Sequence, residues 1–108
     1  MIEFDVGNNN KITNVSFMKN LKKLDAYGDC GIDQNGINGL NLVEFDAGNN
    51  KKITNVSFMK NLKILDAWSD CGIDQNGIHG LDLVKLYTNY NKKITNVSFI
   101  KNLQIEIE

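Results

Sequence analysis

The chain has no proline, no arginine, one histidine, one tryptophan and two cysteines among 108 residues. Its charge is nearly balanced, with 12 lysines against 13 acidic residues. That excludes the basic excess expected of a general nucleic-acid or anionic-membrane binder. No apolar run approaches the roughly 20 residues of a membrane span. The start, Met1-Ile2-Glu3-Phe4-Asp5, lacks the basic-then-apolar order of a secretory signal. Missing Arg and Pro, with abundant Asn, Ile and Lys, read as the imprint of an AT-rich genome rather than of a function. An apolar fraction of 42% with 23% charged residues is nevertheless that of a folded chain.

What is present is repetition. Ile-Thr-Asn-Val-Ser-Phe begins at Ile12, Ile53 and Ile94, a spacing of 41 residues, and Cys-Gly-Ile-Asp-Gln-Asn-Gly-Ile begins at Cys30 and Cys71. The unit divides again. Met1/Phe4/Val6/Asn9 shares a frame with Leu21/Leu24/Ala26/Asp29, Leu42/Phe45/Ala47/Asn50, Leu62/Leu65/Ala67/Asp70 and Leu83/Leu86/Thr88/Asn91. Steps of 20 and 21 residues alternate. Such periodicity predicts a stacked solenoid over 1–108, a single domain of five to six repeats.

The frame resembles the leucine-rich repeat, L-x-x-L-x-L-x-x-N/C-x-L, over nearly the whole chain. Ala or Thr replaces the third Leu in four copies. The wording N-x-x-I-T-N is similar to the cysteine-containing repeats of F-box adaptors, the length to internalin-like and bacterial-effector repeats, and the Asn/Lys-rich style to repeat proteins of amoeba-infecting giant viruses. The resemblance implies an α/β, mostly β, solenoid. A parallel sheet would line its concave side and short 3₁₀ or irregular segments its convex side. It also implies non-catalytic protein recognition, with substrate selection by an adaptor or a segment of a longer array as alternatives.

Strand alternation places frame positions 4 and 6 inward and 3, 5 and 7 outward. Asn9, Asp29, Asn50, Asp70 and Asn91 are expected to turn the chain and bond to backbone as a ladder. Ile12, Val15, Met18 and Leu21, three apart, suit 3₁₀-like turns better than an α-helix. For the last strand, a one-residue shift aligning Ile105-Glu106-Ile107 with Leu65-Asp66-Ala67 keeps both isoleucines inward. Cys30 and Cys71 lie two strands apart, ~10 Å, beyond disulfide reach, and free thiols point to a reducing, cytoplasmic setting (the host cytoplasm for a viral protein).

The outward positions carry the candidate site. Position 5 reads Asp5, Asp25, Asp46, Asp66, Tyr87 and, after the shift, Glu106. Position 3 reads Glu3, Lys23, Glu44, Ile64, Lys85, and position 7 reads Gly7, Tyr27, Gly48, Trp68, Asn89, with Tyr90 following. Stacked aspartates repel by about 1 kcal/mol per adjacent pair in water, a cost that duplication alone explains or that recognition justifies. Aromatics beside charge are favoured contact anchors. Asp25, Tyr27, Asp46, Asp66, Trp68, Lys85 and Tyr87 are therefore the expected binding residues, Trp68 foremost, for a basic or mixed-charge protein segment. Open sheet edges suggest self-association as well.

Other motifs carry less. Asp33-Gln-Asn-Gly36 and Asp74-Gln-Asn-Gly77 fail as calcium loops, because Gly31 and Leu42 fall where an EF-hand needs ligands. Asn14-Val-Ser16, Asn55-Val-Ser57 and Asn96-Val-Ser98 are formal glycosylation sequons, read here as turns. His79 stands where Asn38 stands one unit earlier and lacks ligand or catalytic partners in the sequence. No metal, cofactor or enzymatic chemistry is expected.

Overall fold

The computed structural model describes residues 2–107, the last three in backbone only. Six three-residue strands stack in chain order: β1 (Glu3–Asp5), β2 (Lys23–Asp25), β3 (Glu44–Asp46), β4 (Ile64–Asp66), β5 (Lys85–Tyr87) and β6 (Ile105–Ile107). All neighbours are parallel. The architecture is a mostly β parallel solenoid. Its helical content among the described residues is two 3₁₀ turns, Asn35–Ile37 and Asn76–Ile78, so the α component expected in the fold class reduces to these. No helix of the described residues is long and apolar enough to cross a membrane.

The core follows the frame. Leu24, Phe45, Leu65 and Leu86 at position 4, and Val6, Ala26, Ala47 and Ala67 at position 6, are buried. Ile53, Val56, Met59 and Leu62 pack beneath them from the return segment. One core runs the length of the stack. Its ends are less covered: Phe4, Ile12 and Met18 in the first repeat are only partly buried, whereas their equivalents Phe45, Ile53 and Met59 are enclosed.

The chain leaves each of the first five strands through a residue of positive φ: Asn8, Gly28, Asn49, Ser69 and Tyr90. Glycine and asparagine adopt that conformation readily; serine and tyrosine do so at some cost. Tyr90, expected to extend the binding face, is thus a turn residue with an exposed ring.

Two sequence expectations are corrected. First, Asp29 and Asp70 are exposed, and the ladder position belongs to Cys30 and Cys71, which are fully buried. The amides of Gly31 and Gly72 donate to Asn9 and Asn50 carbonyls, 3.0 Å each, which sets each cysteine level with the asparagine of the preceding repeat. Asp29 and Asp70 are the residues added in the 21-residue repeats, and the carboxylates stay in water because burial there has no partner to offset desolvation. Second, β6 is not shifted. Glu106 pairs with Leu86, while Ile105 and Ile107 pair with Lys85 and Tyr87. The Gln104 amide donates to Val84 O at 2.7 Å, twenty residues back, as Lys63 does to Val43 O. Backbone continuity, which a one-residue slip would break, fixes the register.

Candidate functional site

Two kinds of junction alternate along the stack. Where a cysteine repeat meets the asparagine repeat after it, polar side chains cross. Asn50 Nδ2 donates to Ala26 O (2.8 Å) and Ile32 O (3.2 Å), and its Oδ1 accepts from Lys52 N. Lys52 Nζ donates to Cys30 O at 3.0 Å. Gln34 reaches forward, its Oε1 accepting from the amides of Thr54 and Asn55 and its Nε2 donating to Asn55 O. Asn91, Lys93 and Gln75 repeat the pattern one unit on. The cysteines only accept, each Sγ taking a weak bond from the amide two residues ahead. The glutamine clamp was not expected; its signal was the recurrence of Gln34 and Gln75 inside otherwise turn-like text.

The opposite junctions, from an asparagine repeat into a cysteine repeat, are closed on the sheet face by aromatics lying on glycine. A methyl group at Gly7 would fall within the Tyr27 ring, and one at Gly48 within the Trp68 indole. The missing Cβ makes room for the ring, and the ring shields backbone that glycine leaves bare. The indole also acts on the Asp46 carboxyl, working against the rise that burial causes. Tyr27 and Trp68 are therefore half-buried parts of the stack rather than freely presented anchors.

Between these rings runs the acidic column. The strand register places Asp5, Asp25, Asp46 and Asp66 side by side, with Tyr87 next to Asp66. Asp5 and Asp46 accept from the amides of Gly7 (3.0 Å) and Gly48 (2.9 Å). Among the described residues, Asp25 and Asp66 make no such bond. Burial, more than neighbouring charge, pushes the Asp25, Asp46 and Asp66 carboxyls above the ordinary value of 3.8. In Asp46 the Gly48 amide works against that rise. Asp66 reaches about 6, with Asp46, Asp25 and Glu44 adding to the effect of burial and Lys23 opposing it.

The lysines offset the column only in part. Lys23 bridges Glu3 (3.8 Å) and Glu44 (3.6 Å) in the neighbouring position-3 row, and Glu44, Asp25 and Glu3 in that order raise its own pKa. Lys63 pairs with Asp82 instead, at 3.6 Å. Lys85 stands in the position-3 row with Ile64 and Ile105 as its strand neighbours. The expected binding residues Asp25, Asp46, Asp66, Tyr27, Trp68, Lys85 and Tyr87 do share the sheet face or its margin. Two shallow hollows lie along it: one of about 330 Å³ at Glu3, Phe4, Asp5, Lys23 and Asp25, and one of about 230 Å³ reaching Asp46, Ile64 and Asp66.

The other candidates resolve into turn chemistry. Asp33 and Asp74 each accept from a glycine amide three residues ahead, 2.9 Å, starting the 3₁₀ turns. Asn14, Asn55 and Asn96 accept from both the amide and the hydroxyl of the serine two residues on. Both cysteines are free and buried, and burial raises the Cys71 thiol to about 11. His79 is exposed and follows the second 3₁₀ turn. Among the described residues no group of three metal-ligating side chains converges.

No protein-family profile matches the sequence, and comparison with curated proteins and with solved structures finds no match.

Proposed function

We propose that the chain is a short leucine-rich-repeat recognition module that binds a basic or mixed-charge protein segment on its sheet face. The repeat-type reading is supported by one parallel strand per 20 or 21 residues and by buried Asn and Cys at the position that the repeat wording reserves for them. The functional reading is carried by one observation: four aspartates stacked in register, two of them without a turn bond to hold them. Like charges at strand spacing oppose folding, and a cationic partner removes that repulsion on binding. Asp25 and Asp66 contribute most to this, because the column presents them free of backbone partners. Lys85 and Tyr87 flank the end of the column and add mixed-charge and aromatic contact.

Affinity capture with two baits tests the reading. One bait is the native chain; the other carries Asp25→Asn and Asp66→Asn, which keep shape and leave the aromatic-glycine contacts intact. The expected result is a partner held by the native bait, released by salt, and bound at least about tenfold more weakly by the variant. Identical captures on both baits, or none on either, would overturn it.

A further inference from the structure

The three Ile-Thr-Asn-Val-Ser-Phe segments end in a corner that the core does not use. Phe17, Phe58 and Phe99 are 75%, 38% and 39% exposed, while the next residues, Met59 and Ile100, turn into the core. In the first two corners the amide two residues ahead, Lys19 or Lys60, bonds the phenylalanine carbonyl at 3.0 Å, a tight bend that pushes the ring outward. Lys19, Lys60 and Lys101 follow each ring and are exposed. Among the described residues none of the three enters an ion pair. The Lys19 ammonium lies across Gly39, where a methyl would touch it at 3.4 Å. Asp82, which shares a hollow with Phe99 and Lys101, is occupied by Lys63 and Asn102. Because the strands stack in register, the corners form one ridge of ring and cation, repeating every two strands, about 10 Å.

The acidic face has the same period. Asp25 and Asp66 are also two strands apart, with Ile64 on the same strand as Asp66 for apolar contact. A net charge of −1 means that an acidic face must be offset elsewhere on the molecule, and this ridge is part of that offset. We propose that the Phe17/Phe58/Phe99 ridge of one copy, with Lys19 and Lys60, docks onto the Asp25/Asp66 face of a second copy. This rests on reading the sheet face as a recognition surface and names its partner. The contact joins two different patches, so it is head-to-tail and leaves a free ridge and a free face to add further copies.

Sedimentation of the whole chain tests this with two variants checked for folding by circular dichroism. Asp25→Asn/Asp66→Asn keeps the ridge and loses the face; Lys19→Glu/Lys60→Glu keeps the face and loses the ridge. The native chain is expected to gain average mass with concentration and to return to monomer in about 0.5 M salt. Each variant alone stays monomeric, and their equimolar mixture forms a two-chain species and nothing larger. A native chain that stays monomeric up to about millimolar concentration overturns the proposal. So does association that survives in both variants, which belongs to the strand edges at β1 and β6. In either case the bait comparison still decides the sheet-face reading separately.

Discussion

The two junction types solve one problem with different chemistry. From β2 to β3 and from β4 to β5, buried or half-buried side-chain amides bond across the gap. From β1 to β2 and from β3 to β4, an aromatic ring covers a glycine, and in the first of these the Asp29 amide also donates to Asn8 Oδ1. The polar junction is directional and fails if one partner is removed, because a buried carbonyl then has nothing to accept. The aromatic junction rests on shape and tolerates small shifts until the space itself is filled. A 41-residue unit thus holds itself together by hydrogen bonds and meets the next unit through a ring.

Asn50→Ala should break that contrast most. It strips donors from the Ala26 and Ile32 carbonyls and an acceptor from the Lys52 amide, at a cost of about 3 kcal/mol in denaturant unfolding. Asn8→Gly, at an aromatic junction, keeps the positive φ and removes only the bond to the Asp29 amide, so it should cost under about 1 kcal/mol; equal losses would erase the distinction. Gly48→Ala comes next, at about 2 kcal/mol, by displacing the Trp68 ring. Combined with Trp68→Ala it should cost less than the sum of the two single changes, since the clash is then gone; strict additivity would show that the ring and the glycine do not act together.

Gln34→Ala sharpens the comparison at a smaller scale. Its bonds are exposed, so the loss should be on the order of 1 kcal/mol and absent for the aromatic junctions. Smallest, and of opposite sign, is Asp66→Asn. Folding raises the proton affinity of this carboxyl, so the folded state holds the extra proton between the ordinary value of 3.8 and about 6. Its contribution to stability is fully present below that window and is lost as pH rises through it. With solvent screening of a half-exposed group, removing the charge should gain on the order of 1 kcal/mol or less at pH 7. The pH profile of the melting temperature should flatten between 4 and about 6. An unchanged profile would place the proton elsewhere.

The strands and the acidic column were legible because the frame of Leu24, Phe45, Leu65 and Leu86 counts directly into register. The placement of Asp29 was not, because counting from the strand cannot say where a 21-residue repeat accommodates its additional residue. The side chains decide it: Cys30 is small and apolar enough to be enclosed, and Asp29 is not. The last strand misled for the opposite reason. Alternating Ile105 and Ile107 suggest a slip, yet the hydrogen bond that the Gln104 amide donates to Val84 O outweighs side-chain pattern in a terminal strand. The glycine-ring contacts were hidden too, since Gly48 and Trp68 are twenty residues apart and only the register brings them together.

Trp68 is the only tryptophan, and it lies on the boundary between two units with the Asp46 carboxylate at its indole. The molecule therefore carries an optical gauge at its central seam. A red shift of indole emission before the loss of strand signal would mean that the chain parts there first, and a simultaneous change would mean that both units melt as one.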